Sequence, residues 1–145
     1  MKKRFVHVLL LLCTVLIFFS CKKEKGFSAK EQYLIKAAWL YDQFGIDENL
    51  DGQIDTEEDI ADCSKDDIIT FNAGGTGSFD QGADLCFPDF PQSTPFEWRF
   101  LNNETQIEYA GTVHHILALN QTELRIYTEE NNGNNTVRHI LVFTH

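Results

Sequence analysis

Short segments in which apolar and polar residues alternate recur along most of the chain, and this pattern limits the fold more than any other feature. Alternation with a period of two is typical of strands that bury one face of a sheet. From residue 66 onward, stretches rich in Gly, Asn and Thr separate these segments and favour tight turns. In one segment Phe96, Trp98 and Phe100 alternate with Glu97 and Arg99. The sequence therefore predicts consecutive antiparallel hairpins.

Eight strands are predicted, and a short helix precedes them. The strands are expected at residues 39–44, 67–72, 78–81, 94–101, 106–109, 113–119, 123–128 and 136–144. The first segment also fits a continuation of the helix, but a strand is favoured. Ser28 and Glu31 have the spacing of a capping box, which predicts a helix over 29–37. Both faces of the last strand are apolar, so it should be covered on both sides.

An eight-stranded antiparallel meander removes its exposed edges by closing into a barrel. The fold class is therefore predicted to be all-β, a small barrel. Its interior would be just wide enough for side chains or for one small ligand. Nine of the twelve phenylalanines and both tryptophans lie beyond residue 20 and could fill it. A packed core is favoured, and a ligand cavity is the alternative.

Residues 1–21 have the layout of a lipoprotein signal. Three basic residues precede an apolar run over 6–19, and Ser20-Cys21 closes the segment. We predict a signal peptide over 1–20, acylation of Cys21, a tether over 21–27 and one domain over 28–145. A transmembrane helix is the alternative, disfavoured by Lys22, Lys23 and Lys25 directly after the run.

The negative net charge of the chain disfavours some classes of binding partner. The full chain has 12 basic and 22 acidic residues, and removal of residues 1–20 would leave 9 basic and 22 acidic residues, a net charge of −13. Such a charge argues against nucleic acid as a partner, because phosphate contacts need Lys and Arg. It also disfavours adsorption to anionic lipid, so the membrane contact is expected to come from the N-terminal lipid.

The four cysteines have different expected roles, which depend on their positions in the chain. Cys13 would be removed with the signal and Cys21 would carry lipid, which leaves Cys63 and Cys86 in an oxidising compartment. A disulfide between them is the default expectation, with two free buried thiols as the alternative. Closing a loop of this length would stabilise the fold by about 3 kcal/mol.

An acidic segment matches the twelve-residue EF-hand calcium loop at every ligand position. Gly52 falls at the sharp turn, and Ile54 at the position that anchors the loop. The predicted oxygen ligands are Asp47, Asn49, Asp51, Gln53, Asp55 and Glu58. Leu50 and Asp59 depart from the usual pattern, and no second loop is present to pair with. We therefore predict a loop that binds Ca²⁺ as a cofactor in a β domain, against the alternative of a solvated acidic turn.

Other chemistry has little support in the sequence. His114, His115 and His139 could meet across neighbouring strands, but they provide no third metal ligand, so surface or satisfied histidines are favoured. No nucleophile elbow and no phosphate-binding loop followed by a helix is found. The chain is not expected to be an enzyme, and no catalytic residue is assigned.

The order of short motifs resembles the lipocalin-like lipoproteins of the Bacteroidota. The motifs are Trp39, Asp51-Gly52, Cys63, Asp66-Asp67, Phe71 to Gly77, Cys86, Trp98, Ile116 to Leu119 and Thr122 to Leu124. The resemblance implies a lipid-tethered barrel in the outer membrane and supports the Cys63–Cys86 bridge. It supplies no catalytic residue. Ala37 stands where many lipocalin-type barrels carry the glycine of a Gly-x-Trp motif.

Two functions are expected from these observations. The first is a lipid-anchored envelope lipoprotein that binds a small apolar ligand or an envelope protein at its barrel or barrel mouth. The second is a structural or assembly role in the envelope, with calcium stiffening the loop over 47–58 and no ligand cavity.

Overall fold

The computed structural model describes residues 26–131, 133 and 135–145. The predicted signal peptide, Cys21 and most of the tether lie outside these residues. The described chain contains the helix α1 (Ala29–Leu34) and a 3-10 turn at Asp62–Ser64. Its strands are β1 (Trp39–Asp47), β2 (Thr56–Glu58), β3 (Ile68–Asn72), β4 (Thr76–Asp80), β5 (Ser93–Leu101), β6 (Gln106–Tyr109), β7 (Thr112–Leu119), β8 (Glu123–Asn131) and β9 (Thr136–Thr144).

The strands form one antiparallel sheet that closes into a ring. From β3 to β9 each strand pairs with the next, and β1 pairs with both β9 and β3. Eight strands therefore make the ring, as predicted. The ninth, β2, lies on the edge of β1 that also carries β3, and it pairs with Phe44–Ile46. This all-β barrel-like architecture confirms the predicted fold class.

The helix is shorter than predicted. It begins where the Ser28 Oγ accepts a hydrogen bond from the Glu31 N–H at 3.0 Å, and it ends at Leu34, three residues before the expected position. The indole N–H of Trp39 donates to the Leu34 carbonyl at 2.9 Å. Because this bond brings Trp39 back against the helix end, the chain enters β1 there and the helix does not continue.

The barrel interior is a packed core. Phe71 lies at its centre, with the ring centroids of Phe96, Trp98 and Tyr109 at 5.4, 5.8 and 5.7 Å in edge-on geometry. The remaining space beside Phe71 is too small to hold a water molecule. Other buried members of this core are Leu34, Trp39, Ile69, Ile107, Leu124, Ile126 and Phe143. The aromatic residues therefore fill the barrel interior as a packed core and do not line a ligand cavity there.

A second buried layer lies on the outer face of the barrel. Ile140 and Val142 of β9 are buried, although they face away from Leu141 and Phe143. Gly45, the partner of Ile140 in β1, lies directly against the Ile54 side chain. The acidic segment between β1 and β2 therefore folds back over the barrel wall. The prediction that the last strand is covered on both sides is confirmed.

Candidate functional site

An open cleft of about 1060 Å³ crosses β5. Phe79, Phe96 and Trp98 provide apolar surface, and Arg99 and Glu108 provide charge. The turns at residues 74–75 and 110–111 border the cleft. These residues were not predicted as a site, because only the stagger of the strands brings them together.

The cleft exists because β4 and β6 pair with different halves of β5, on its two opposite edges. Residues Ser93–Glu97 pair with β4, whereas Trp98–Leu101 pair with β6. On the β6 side, no strand of the described chain pairs with residues 93–97. Only the Ala110 N–H reaches across, donating to the Glu97 carbonyl at 3.3 Å. Because backbone groups alternate between the two edges of a strand, Pro95 also faces this open side, where it presents no N–H.

Trp98 fixes the base of the cleft. Its indole N–H donates to the carbonyls of Asn72 and Thr76 at 3.1 and 2.9 Å, and its backbone N–H donates to the Gly75 carbonyl at 2.8 Å. These three bonds hold the β3–β4 turn against β5. Next to Trp98 on β5, the Arg99 Nε donates to Glu108 Oε2 of the neighbouring strand β6 at 2.7 Å. The cleft therefore combines a rigid aromatic base with an exposed ion pair.

The predicted calcium ligands lie in one tight loop that follows β1. Asp47 is fully buried, and its two carboxylate oxygens accept the N–H groups of Asp51 and Gly52 at 3.1 and 2.9 Å. Leu50 has φ of 65° and Gly52 has φ of 87°, which gives the sharp turn expected at Gly52. Most of the remaining predicted ligands also form bonds within the segment. The Asn49 and Asp51 side chains accept N–H groups at 2.9 and 2.8 Å, and Asp55 accepts the Glu48 N–H at 2.8 Å.

The last predicted ligand, Glu58, lies in β2, where it pairs with Phe44. Within residues 26–131, 133 and 135–145, no three His, Cys, Asp or Glu side chains form a group that could hold a metal ion. The calcium site therefore stays a prediction.

Two arginines that the sequence did not single out contact the acidic loop. The Arg138 Nη1 donates to the Leu50 carbonyl at 2.9 Å and lies 3.8 Å from Asp47 Oδ2. Its guanidinium also lies over the Tyr127 ring, 4.6 Å from the centroid. Arg125 Nη1 lies 3.4 Å from both the Gly52 carbonyl and Gln53 Oε1. The loop is thus joined to the barrel wall by positive charge from β8 and β9.

The histidines have separate environments. His114 is buried on β7 and stacks on Tyr109 with ring centroids 4.9 Å apart. Its Nδ1 has no hydrogen-bond partner among the described residues, and burial lowers the pKa of His114 to about 4. The His115 ring stacks on Tyr127 at 4.8 Å, and His139 Nε2 lies 2.9 Å from Glu130 Oε2. His145 Nδ1 lies 2.8 Å from the Ala38 carbonyl.

A disulfide joins Cys63 to Cys86, with Cα atoms 5.2 Å apart, and confirms the predicted pair. Beside it, the N–H groups of Ala83 and Asp84 donate to Asp66 Oδ2 and hold the pKa of that carboxyl below its usual value. Burial raises the pKa of the neighbouring Asp67 carboxyl. The β4–β5 loop over 81–92 is therefore fixed to the segment before β3.

No family model, curated protein or solved structure matches the chain. In the part of the chain that the structure describes, no helix is long and apolar enough to cross a membrane.

Proposed function

We propose that this chain is an envelope lipoprotein, anchored in the outer membrane through lipid on Cys21, whose barrel domain binds a small apolar ligand in the cleft across β5. The cleft itself carries the proposal: its volume of about 1060 Å³ reaches the upper end of the usual range for ligand sites. The motif order shared with lipocalin-like lipoproteins of the Bacteroidota supports the envelope address. No catalytic step is part of the proposal.

The composition of the cleft suits such a ligand. Ligand sites usually combine apolar and aromatic walls with a few polar groups that set orientation. Here Phe79, Phe96 and Trp98 offer the apolar surface, while the Arg99–Glu108 pair marks one side. Because the core beneath is filled, a ligand would enter from solvent and would not require the barrel to open.

Native mass spectrometry of the protein, purified gently from its host, tests the ligand proposal directly. A reproducible added mass is expected, together with displacement of the apolar fluorescent probe N-phenyl-1-naphthylamine by the extracted compound. Thr94→Trp, at an exposed position lining the cleft, should weaken probe binding about tenfold or more. Leu117→Trp, at an exposed position of β7 beside the turn at Gly52, should not. An empty protein that binds no probe would refute the proposal.

The lipid anchor is tested separately in intact cells. Growth with a labelled fatty acid should label the wild-type protein, and Cys21→Ser should abolish both the label and recovery in the membrane fraction. An unlabelled protein that still begins at Met1 would exclude the lipoprotein address and leave the cleft proposal standing.

A second candidate function is structural, with calcium stiffening the acidic loop in an envelope assembly. The sharp turn at Leu50 and Gly52 favours it, because an EF-hand loop turns sharply at this position. A protein that calcium stabilises but that holds no ligand would support this function over the first.

A further inference from the structure

We propose that the outer edge of the β4–β5 loop is a docking surface for a partner protein that offers an apolar pocket rimmed by Lys and Arg. This surface, here called the 85–90 edge, consists of Leu85, Phe87 and Phe90. Their side chains are 40%, 61% and 68% exposed. No residue from 81 to 92 lines the cleft, so the 85–90 edge is a separate surface.

The backbone that presents the 85–90 edge is held firmly. Cys86 is bonded to Cys63, and the Phe90 N–H donates to the Phe87 carbonyl at 3.0 Å in a tight turn. Gln81 is buried behind the loop. Its amide accepts the Phe87 N–H at 3.0 Å and donates to the carbonyls of Phe87 and Pro91 at 3.2 and 3.1 Å.

These contacts order the backbone but leave the aromatic rings in water. The Phe87 and Phe90 rings touch each other edge-on, with centroids 5.9 Å apart. Exposed aromatic side chains on an ordered loop lose little conformational entropy on binding, and they resemble the anchors that dominate protein interfaces. The arrangement is therefore suited to insertion into an apolar pocket.

Charge around the 85–90 edge identifies the kind of partner. Between residues 59 and 91 the chain has seven aspartates and one basic residue, Lys65, which is paired with Asp62 at 2.6 Å. Asp84 and Asp89 belong to the loop itself. A basic rim on the partner would complement this charge, whereas an anionic lipid surface or a second copy of this acidic chain would be repelled.

Photo-crosslinking in the host tests the proposal. The full chain with p-benzoylphenylalanine at position 87 should form an adduct with one protein, and the same probe at Val113, also exposed, should not. The captured protein is then identified and purified, and its affinity for the chain is measured by calorimetry. Phe90→Ala should weaken binding about tenfold, with the melting temperature unchanged because Phe90 is exposed. Val113→Ala is the control.

Salt distinguishes the proposed partner from other occupants. Raising NaCl from about 50 to about 500 mM should weaken binding severalfold, because the acidic surface faces a basic rim. The proposal is overturned by adducts with lipid or with a second copy only, by the absence of any adduct, by equal affinity of Phe90→Ala, or by binding that salt does not weaken. Phe90-dependent binding to phosphatidylethanolamine–phosphatidylglycerol vesicles would assign the surface to a membrane instead.

Discussion

The guanidinium of Arg138 lies 3.8 Å from the carboxylate of the fully buried Asp47. This pair joins the start of the acidic loop to β9. A buried carboxylate is costly unless a positive charge and hydrogen bonds compensate it, and Asp47 has both, because two backbone N–H groups also reach its oxygens. The chain thus supplies its own counter-charge at the first position of the predicted calcium loop.

Removing that counter-charge should destabilise the fold. Arg138→Gln leaves Asp47 buried without a cation and removes the bond to the Leu50 carbonyl. We expect the free energy of unfolding in urea to fall by about 2 kcal/mol. Arg138→Lys keeps the charge and should lose less than half as much. A change below about 0.5 kcal/mol in the glutamine variant would show that the pair contributes little.

Calcium should stabilise the protein if the loop binds it. With a dissociation constant in the range of extracellular modules, about 10 mM calcium should add about 1.4–2.7 kcal/mol to the unfolding free energy. The gain should grow in Arg138→Gln, where the ion replaces the missing positive charge beside Asp47. Glu58→Ala should remove the gain. Equal calcium effects in wild type and Glu58→Ala would place any bound ion elsewhere.

Gly45 should be essential to the contact between the acidic loop and the barrel wall. A Cβ atom at this position would overlap the Ile54 side chain and the Thr56 carbonyl oxygen, and the latter belongs to the backbone. Gly45→Ala should therefore lower the unfolding free energy by about 2–3 kcal/mol. Gly26→Ala, where a Cβ meets nothing within 4 Å, is the matched control and should be close to neutral.

His114 should make the protein less stable in acid. Burial lowers its pKa to about 4 in the folded state, whereas an unfolded histidine titrates near 6.5. The unfolded chain then binds more protons between these values, so stability falls as the pH drops from 6.5 to 4, by about 2–3 kcal/mol. Urea unfolding at several pH values should show a smaller fall for His114→Phe. His115→Phe, on the opposite face of β7, should keep the full fall.

Loss of the disulfide should weaken the fold and free the β4–β5 loop. The Cys63→Ala, Cys86→Ala double variant should lose about 3 kcal/mol of unfolding free energy, because the bridge closes a chain segment with a sequence separation of 23. Proteolysis should then cleave within 81–92. Resistance equal to wild type would show that Gln81 alone suffices to hold the loop.

Local patterns predicted the strands well because each strand buries one face. The alternation around Phe96, Trp98 and Phe100 indicated β5 to within one residue at its start. The helix was predicted too long, since nothing local shows that the Trp39 indole turns back onto Leu34. The short strand β2 was missed, because Thr56–Glu58 has no apolar alternation and is ordered by pairing with β1.

The sites depended on contacts that are distant in the sequence. Arg138 and Leu50 are 88 positions apart, and no spacing rule connects them. The cleft arises because β6 pairs only with the second half of β5 and leaves the first half unpaired on that edge. This depends on the strand register and not on composition. In contrast, the pairing of Cys63 with Cys86 needed only the count of cysteines left after the N-terminal segment.

The proline in β5 has a consequence for self-association of this protein. An unpaired strand edge can pair with a strand of a neighbouring molecule. Pro95 removes one backbone donor from the open edge of β5, so an added strand could not form a continuous ladder of hydrogen bonds there. Edge-to-edge pairing between copies is therefore disfavoured at this position.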